Sequence, residues 1–504
     1  MADLGNVVCA GAPIVLFTYL LAGAKLPAAK AAAWGLATAL AAAVLCFSGR
    51  PALLGWSAVK GAWNALAIFA VILPALFIYE LLVKVDMFEQ IRRKVEAAIH
   101  SQLLRVLFIG WAFSSFLQSI TGFGVPVAVT APILIGLGVA PVRAVLICIL
   151  GHAWGGTFGT LALAWDSLFL QVPEAAGSEK LLLCTCVLLW VYNFVCGVLV
   201  CLLYRGKAPH TRDLGIAAFL SALQGGGQLV FTHLNPATAC FMASVLSMGG
   251  IFLLDHLGRT AGEKRQPERS RPLLHAIFPF LTLTVLVVVC LFVTPVYQFL
   301  SRCQVALPIP DGTGGWDLYS PISVFTHSGT LLLVSSLISI LFYRRKGYLK
   351  QGELRPVIQD TLKKASNAIL PVLLLLIMSK IMDGTGQILV LANAVAGLLA
   401  PIYPAAAPLI GVLGAFVSSS NMSSNILFAR FQYQAAQVIG ADPAAILAAQ
   451  TAGGSVGNLV AASNIVLGLS TAGAPEKEGE VLRFMLFVAL GCGLLLGLLT
   501  FWLS

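Results

Sequence analysis

"SSFLQSITGFGVPVAV", residues 114–129, decides how this chain is read. It lies inside a longer apolar run, yet Gln118, Thr121, Gly122, Gly124 and Pro126 fall within nine residues of one another. Proline removes a backbone N–H and glycine loosens the chain, so a continuous helix is not expected here. Broken backbone cannot face lipid. It is tolerated at membrane depth only where it is buried in protein or lines an aqueous cavity.

The surroundings are a membrane sequence. The chain has 504 residues, of which 59% are hydrophobic and only 10% charged, with a mean hydropathy of +0.91. Soluble domains carry about 25% charged residues. Apolar stretches of spanning length recur as far as Leu503, which one cleaved leader cannot explain. The expected fold class is an all-α polytopic membrane protein with 12 to 14 transmembrane helices. Sixteen apolar stretches supply them, among them 142–163, 273–296, 320–342 and 433–450, and some are read as half-helices. Net charge is +10, and fifteen of the 31 basic residues lie in the loops 205–213, 258–272 and 343–364. The positive-inside rule places these three loops in the cytoplasm, where they also meet anionic lipid. The segment 297–319 then faces outward, and its Pro and Gly content reads as a loop. The charge therefore gives no reason to expect nucleic acid as a partner. The 11 cysteines lie almost entirely in apolar runs and are read as small packing residues.

An internal repeat places the opening stretch. "HAWGGTFGTL" (152–161) is similar to "QTAGGSVGNL" (450–459), "GVAP" (138–141) is echoed by "GADP" (440–443), and the opening stretch is matched in order by "GAFVSSSNMSSNILF" (414–428). Each copy runs as a broken polar stretch, an apolar helix, a Gly-Pro turn, an apolar helix and a Gly-Gly-hydroxyl stretch. Paired broken segments in the two halves of a chain point to the binding site of a secondary transporter. The expected organisation is scaffold helices 1–99, a first transport repeat 100–180, connecting and scaffold helices 181–380, a second transport repeat 381–480 and a C-terminal helix 481–504.

The broken segments offer neutral hydrogen-bonding groups. Gln118, Thr121, Gly122 and Gly124 come from the first copy, and Ser420, Asn421, Ser423, Ser424, Asn425, Gly453 and Gly454 from the second. A half-helix that starts after a break presents free N–H groups and a positive dipole end, which suits a carboxylate. An isolated Gly or Ser serves helix packing equally well, but "SSSNMSSN" (418–425) carries more polar groups than packing requires. Of the few ionisable residues near spans, Asp86, Arg143, Asp255 and Arg430 are assigned to snorkelling span ends. Lys380 and Asp383 are spaced to pair with each other on one helix face. His152 and Asp166 are the proton-coupling candidates, His152 because imidazole titrates near about pH 6.5. No Walker, HExxH or zinc-finger spacing occurs. No enzymatic activity, cofactor, metal or catalytic residue is therefore expected, nor is ATP-driven transport by this chain alone.

These same residues resemble the L-lactate permease family. The resemblance rests on "GFGVPVAVTAPILIGLG" (122–138), "SSNILF" (423–428), "IGADP" (439–443), "TAGGSVGN" (451–458) and "KEGEVLRF" (477–484), together with the amphipathic "DMFEQIRRKVEAAI" (86–99). It covers most of the chain in order. It implies uptake of short 2-hydroxy monocarboxylates such as lactate and glycolate with a proton, in a bacterial inner membrane. The wider superfamily implies inverted repeats, two re-entrant segments and an elevator-type transport domain moving against a scaffold. At three positions the chain departs from the pattern that the resemblance implies: Gln118 and Asn421 replace acids, and Asn458 replaces a lysine. Those amides leave open a sodium-coupled transporter of another organic or sulfonated acid; a receptor or enzyme subunit that transports nothing is the other alternative, against which the paired broken segments argue. The expected partners are a small organic anion, a proton or sodium ion, membrane lipids and a second copy of the chain in a homodimer.

Overall fold

A computed structural model describes residues 4–24, 26–122, 124–206, 210–258, 272–310 and 315–504. Phe123, Lys207 and residues 259–271 of the second basic loop lie outside the described residues. Among the described residues, nine helices are long and apolar enough to cross a membrane, or up to eleven if each of two bent pairs is one span. This is fewer than the 12 to 14 expected from hydropathy. The difference lies in apolar helices too short to cross alone, namely Val125–Gly136, Gln387–Leu399 and Tyr403–Ser418.

The chain divides into two compact units. One comprises residues 50–98 and 265–380. Its long helix Pro51–Lys84 packs tightly against two others. Gly61 meets the backbone of Ile377, and Gly329 meets the backbone at Ala70, so a side chain at either glycine would collide with main chain. The segment read as an outer loop contains a two-stranded antiparallel ribbon, Gln304–Pro310 with Trp316–Ser323. Its prolines argued against strands, but each strand of an isolated pair keeps one free edge where proline is tolerated. Trp63 donates to the Ser320 carbonyl at 3.0 Å and holds the ribbon against the helix.

The other unit comprises residues 1–49, 99–264 and 381–504. It contains both repeat copies and shows the same order of elements twice. In the first, a helical run ends at Gln118, Val125–Gly136 follows, Gly138 (φ +88°) turns the chain, and Pro141–Ala153 returns to a second break. In the second, Tyr403–Ser418 ends at a break, Asn421–Ile439 follows, Gly440 (φ +72°) turns the chain, and Pro443–Gly457 returns. The apolar stretch 433–450 is thus two helices rather than one span. Proline at the first position and Asp442, which accepts from the Ala444 N–H at 2.9 Å, start the second of them.

Several other readings are corrected here. Asp255 is not a snorkelling residue. It is 4% exposed, and its carboxylate accepts the backbone N–H of His100 at 2.9 Å and of Ser101 at 3.2 Å, capping the helix that leads to the first break. Arg430 is not a snorkelling residue either: it pairs with Asp383 (3.1 Å) and with Glu174 (2.8 Å), and so bridges segments of both repeats. Cys9 and Cys46 are paired as a disulfide rather than serving as packing residues.

Candidate functional site

Each break has an identifiable cause. In the first copy Gly122 (φ +58°) and Gly124 (φ +80°) take left-handed conformations, and Gly124 caps the helix that starts at Val125. The helix Gly159–Gln171 opens with three consecutive left-handed non-glycine residues, Thr160, Leu161 and Ala162, with φ of 49°, 53° and 62°. Each such residue costs roughly 1–2 kcal/mol, and strain of this kind gathers at functional sites. The Leu161 N–H donates to the Ser119 carbonyl at 3.0 Å, which fastens one break to the other. In the second copy Ser419 (φ +56°) ends one helix, and the Ser420 hydroxyl caps the next by accepting the Ser423 N–H at 3.4 Å. Asn458–Val460 forms a single tight turn before Ala462–Thr471.

The glycines of the paired motifs allow close approach. Gly155 and Gly159 lie against the side chain of Gln118, at 3.5 and 3.1 Å from its Cγ for a Cβ built on each. Gly454 faces the side-chain oxygen of Asn421 in the corresponding way, and Gly156 faces the Asn458 amide of the other repeat. Repeat-related residues therefore meet at the centre of this unit. The Thr157 hydroxyl is 2.8 Å from the Ser455 hydroxyl, and it donates to the Thr451 carbonyl at 3.1 Å. The Asn421 amide nitrogen lies 3.2 Å from Thr157 Oγ1, 3.0 Å from the Thr451 carbonyl and 3.1 Å from Ser455 Oγ. The Asn425 amide donates to the Ala164 carbonyl at 2.8 Å and to Thr451 Oγ1 at 2.9 Å.

A cavity of about 490 Å³, counted with its open mouth, lies over this cluster. Of the residues expected from sequence, Gln118, Gly122, Gly124, Ser420 and Asn421 line it. The others stand behind the lining. Thr121 donates back to the Leu117 carbonyl (2.8 Å), and Ser424 donates to the Gly411 carbonyl (2.9 Å). The Ser423 N–H serves the helix cap, Asn425 belongs to the buried cluster, and Gly453 packs on the backbone of Pro408. Ser419, part of the "SSSNMSSN" stretch, also lines the cavity, as do Thr160, Asn458 and Asn464, which were not among the residues expected to bind substrate. Thr160 and Asn458 occupy equivalent positions in the two copies of the repeat, and that correspondence was the signal for both. Asn464 carried none.

His152 is buried, and its ring Nδ1 lies 2.6 Å from the Cys148 carbonyl one turn earlier, away from the lining. Asp166 is exposed on the helix whose Leu163 and Ala164 line the cavity. The lining among the described residues contains no Asp, Glu, His, Lys or Arg. Its electrostatics come from helix ends. Helices start at Val125 and Asn421, and each brings a positive dipole end to the cavity wall, although the Val125 N–H donates to the Gly122 carbonyl at 3.0 Å and the Ser423 N–H to Ser420 Oγ at 3.4 Å.

Two copies of a broken-helix repeat meeting at a neutral polar cavity, in a polytopic helical chain, define a multi-pass membrane transporter. The L-lactate permease family model matches residues 6–309 and 315–504. The chain belongs to that family, and it is an inner-membrane protein of bacterial type. It is 26% identical to the L-lactate permease of Escherichia coli (strain K12), over 97% of this chain and 94% of that one. It is 26% identical to the glycolate permease GlcA of the same organism, over 99% and 96%, and 24% identical to the L-lactate permease of Bacillus subtilis (strain 168), over 97% and 94%. The solved structure of the Alcanivorax borkumensis YdaH transporter is similar over 89% of this chain and 87% of that one, with 14% identity and a TM-score of 0.46.

Proposed function

We propose that the protein is a transporter rather than an enzyme, taking up a short 2-hydroxy monocarboxylate of the lactate or glycolate type together with a proton. The observation that carries this is the cavity over the two breaks, lined by amides, hydroxyls and glycine backbone with no charged side chain. Helix starts at Val125 and Asn421 supply positive dipole ends for a carboxylate. The Gln118 and Asn458 amides and the Thr160 and Ser419 hydroxyls are left for a 2-hydroxyl group and the second carboxylate oxygen, while the Asn464 amide also donates to the Asn458 carbonyl at 3.3 Å. The named relatives transport lactate and glycolate, acids that differ by one methyl group, and a small polar cavity suits both. Of the remaining sequence-derived residues, Thr121, Ser423, Ser424, Asn425, Gly453 and Gly454 support the lining rather than touch substrate.

The proton has an energetic motive. Moving one anion inward against 100 mV costs about 2.3 kcal/mol, and one accompanying proton cancels that cost. With no titratable group in the lining, the proton is carried beside it. Asp166, exposed on a lining helix, is better placed than His152. Radiolabelled L-lactate and glycolate uptake into proteoliposomes under an imposed inward proton gradient tests the reading, and no gradient-driven uptake of either acid overturns it. Asp166→Asn is expected to lower gradient-driven uptake by about tenfold or more while lactate–lactate exchange across the same liposomes persists. Equal loss of both activities would remove Asp166 from the coupling step.

A further inference from the structure

Two polar side chains in the cavity wall stand together without partners. Gln118 is 8% exposed and Thr160 is 7% exposed. Both line the cavity, and among the described residues neither side chain takes part in a hydrogen bond. They converge on one point. A Cβ built at Gly122 would strike the Thr160 hydroxyl and would lie 3.8 Å from the Gln118 amide nitrogen, and that nitrogen is 3.3 Å from a Cβ built at Gly159. Polar groups buried to this degree are ordinarily paired, so each exception calls for an explanation.

Thr160 is held there under strain. It is β-branched, yet its φ and ψ are 49° and 45°, a left-handed conformation that such residues rarely adopt. The Trp165 N–H, donating to the Thr157 carbonyl at 3.2 Å, closes the turn around it. The repeat does not impose this turn. Asn458, at the equivalent position of the second copy, keeps ordinary helical angles of −61° and −21°. Strain confined to one copy, at a side chain that faces a cavity, points to what that side chain binds.

We infer that Thr160 is the specificity-determining residue of the site: with Gln118 it binds the 2-hydroxyl of the substrate, so that the protein selects 2-hydroxy acids over unsubstituted acids of the same length. A hydroxyl both donates and accepts. So does each member of this pair, Thr160 through its hydroxyl and Gln118 through its amide NH₂ and carbonyl. A carboxylate only accepts, and it is drawn to the positive helix start at Asn421. An acid with a methylene in place of the carbinol would cover Thr160 and Gln118 without bonding either. A site built to bond a substrate hydroxyl rejects the analogue lacking it, because its own polar groups are then left unpaired. Glycine at 122 fits the same arrangement, since a side chain there would take the place of the Thr160 hydroxyl.

This assignment rests on the transport reading above, and a ratio of two inhibition constants tests it. Unlabelled L-lactate and propionate, which differ only in the 2-hydroxyl, compete with radiolabelled glycolate in glycolate–glycolate exchange across proteoliposomes without a proton gradient. Their ratio does not depend on how much active protein is present. The unaltered protein is expected to favour lactate by about a hundredfold, roughly tenfold for each hydrogen bond. Thr160→Val keeps the β-branched shape and removes the hydroxyl, and it should lower that preference by about tenfold, while Thr160→Ser keeps it within about twofold. Gln118→Leu should lower it by a similar factor, and it gives the same reading if Thr160→Val does not fold. A preference unchanged within twofold in these variants, or equal weakening of both acids with the ratio held, overturns the assignment and leaves Thr160 a structural role. Glycolate exchange by the unaltered protein with no preference for lactate over propionate removes the assignment alone. No exchange of any hydroxy acid removes the transport reading, and the assignment with it.

Discussion

Asn421→Leu is expected to reduce substrate uptake by about a hundredfold. The side chain is close to isosteric, so the effect is one of hydrogen bonding rather than of space. The native amide nitrogen lies 3.0–3.2 Å from Thr157, Thr451 and Ser455, all fully buried. Leucine leaves those oxygens without their donor, at roughly 1–3 kcal/mol for a buried group so stranded. The same residue opens the helix at the cavity wall, so the first turn that would receive a carboxylate shifts with it. Initial uptake rates, normalised to the monodisperse fraction in gel filtration, measure the loss. Asn421→Leu transport within twofold of the unaltered protein would remove this residue from the site.

Gly454→Ala should be nearly as severe for a steric reason. A Cβ at Gly454 would occupy the place of the Asn421 side-chain oxygen and approach Asn421 Cγ at 2.7 Å. Asn421 is fixed by its position at the start of a helix and by its three partners, so it cannot step aside without breaking the crossing. Overpacking of a tight core typically costs about 1–3 kcal/mol. The expected outcome is a lower melting temperature in detergent together with uptake near background. Gly479→Ala is the matching control, because nothing lies within 4 Å of its Cβ. Equal melting temperatures for the two variants would contradict the packing described here.

Much of this was legible in the sequence because breaks are written in residue types. Gly122, Gly124 and the serines before Asn421 mark the first pair of interruptions, and the repeated Gly-Gly-x-x-Gly marks the second. What the sequence concealed has physical causes. The left-handed turn Thr160–Ala162 consists of ordinary residues forced by their surroundings, and no propensity announces it. Asn464 reaches the cavity through folding alone. The polar residues of "SSSNMSSN" looked equivalent, yet Ser424 and Asn425 follow Ser420 and Asn421 by one helical turn on the same face, so the earlier pair lines the cavity while the later pair is buried behind it. A hydropathy window also cannot register that Gly440 divides the apolar stretch 433–450 between two helices. Gln118, an amide where the resemblance implies an acid, stands in the lining against Gly155 and Gly159. Its replacement of a charge fits a lining in which every described side chain is neutral.

Substrate protection of a residue in the lining tests the central claim most directly. In a Cys303→Ser background, which removes the free cysteine exposed among the described residues, Ser419→Cys places one thiol at the cavity wall. Its rate of maleimide labelling is measured in proteoliposomes with and without saturating L-lactate, alongside uptake. Slower labelling in lactate, with acetate giving no protection, is the expected result. Equal labelling rates with lactate uptake intact would place the substrate elsewhere and contradict the assignment of the paired breaks.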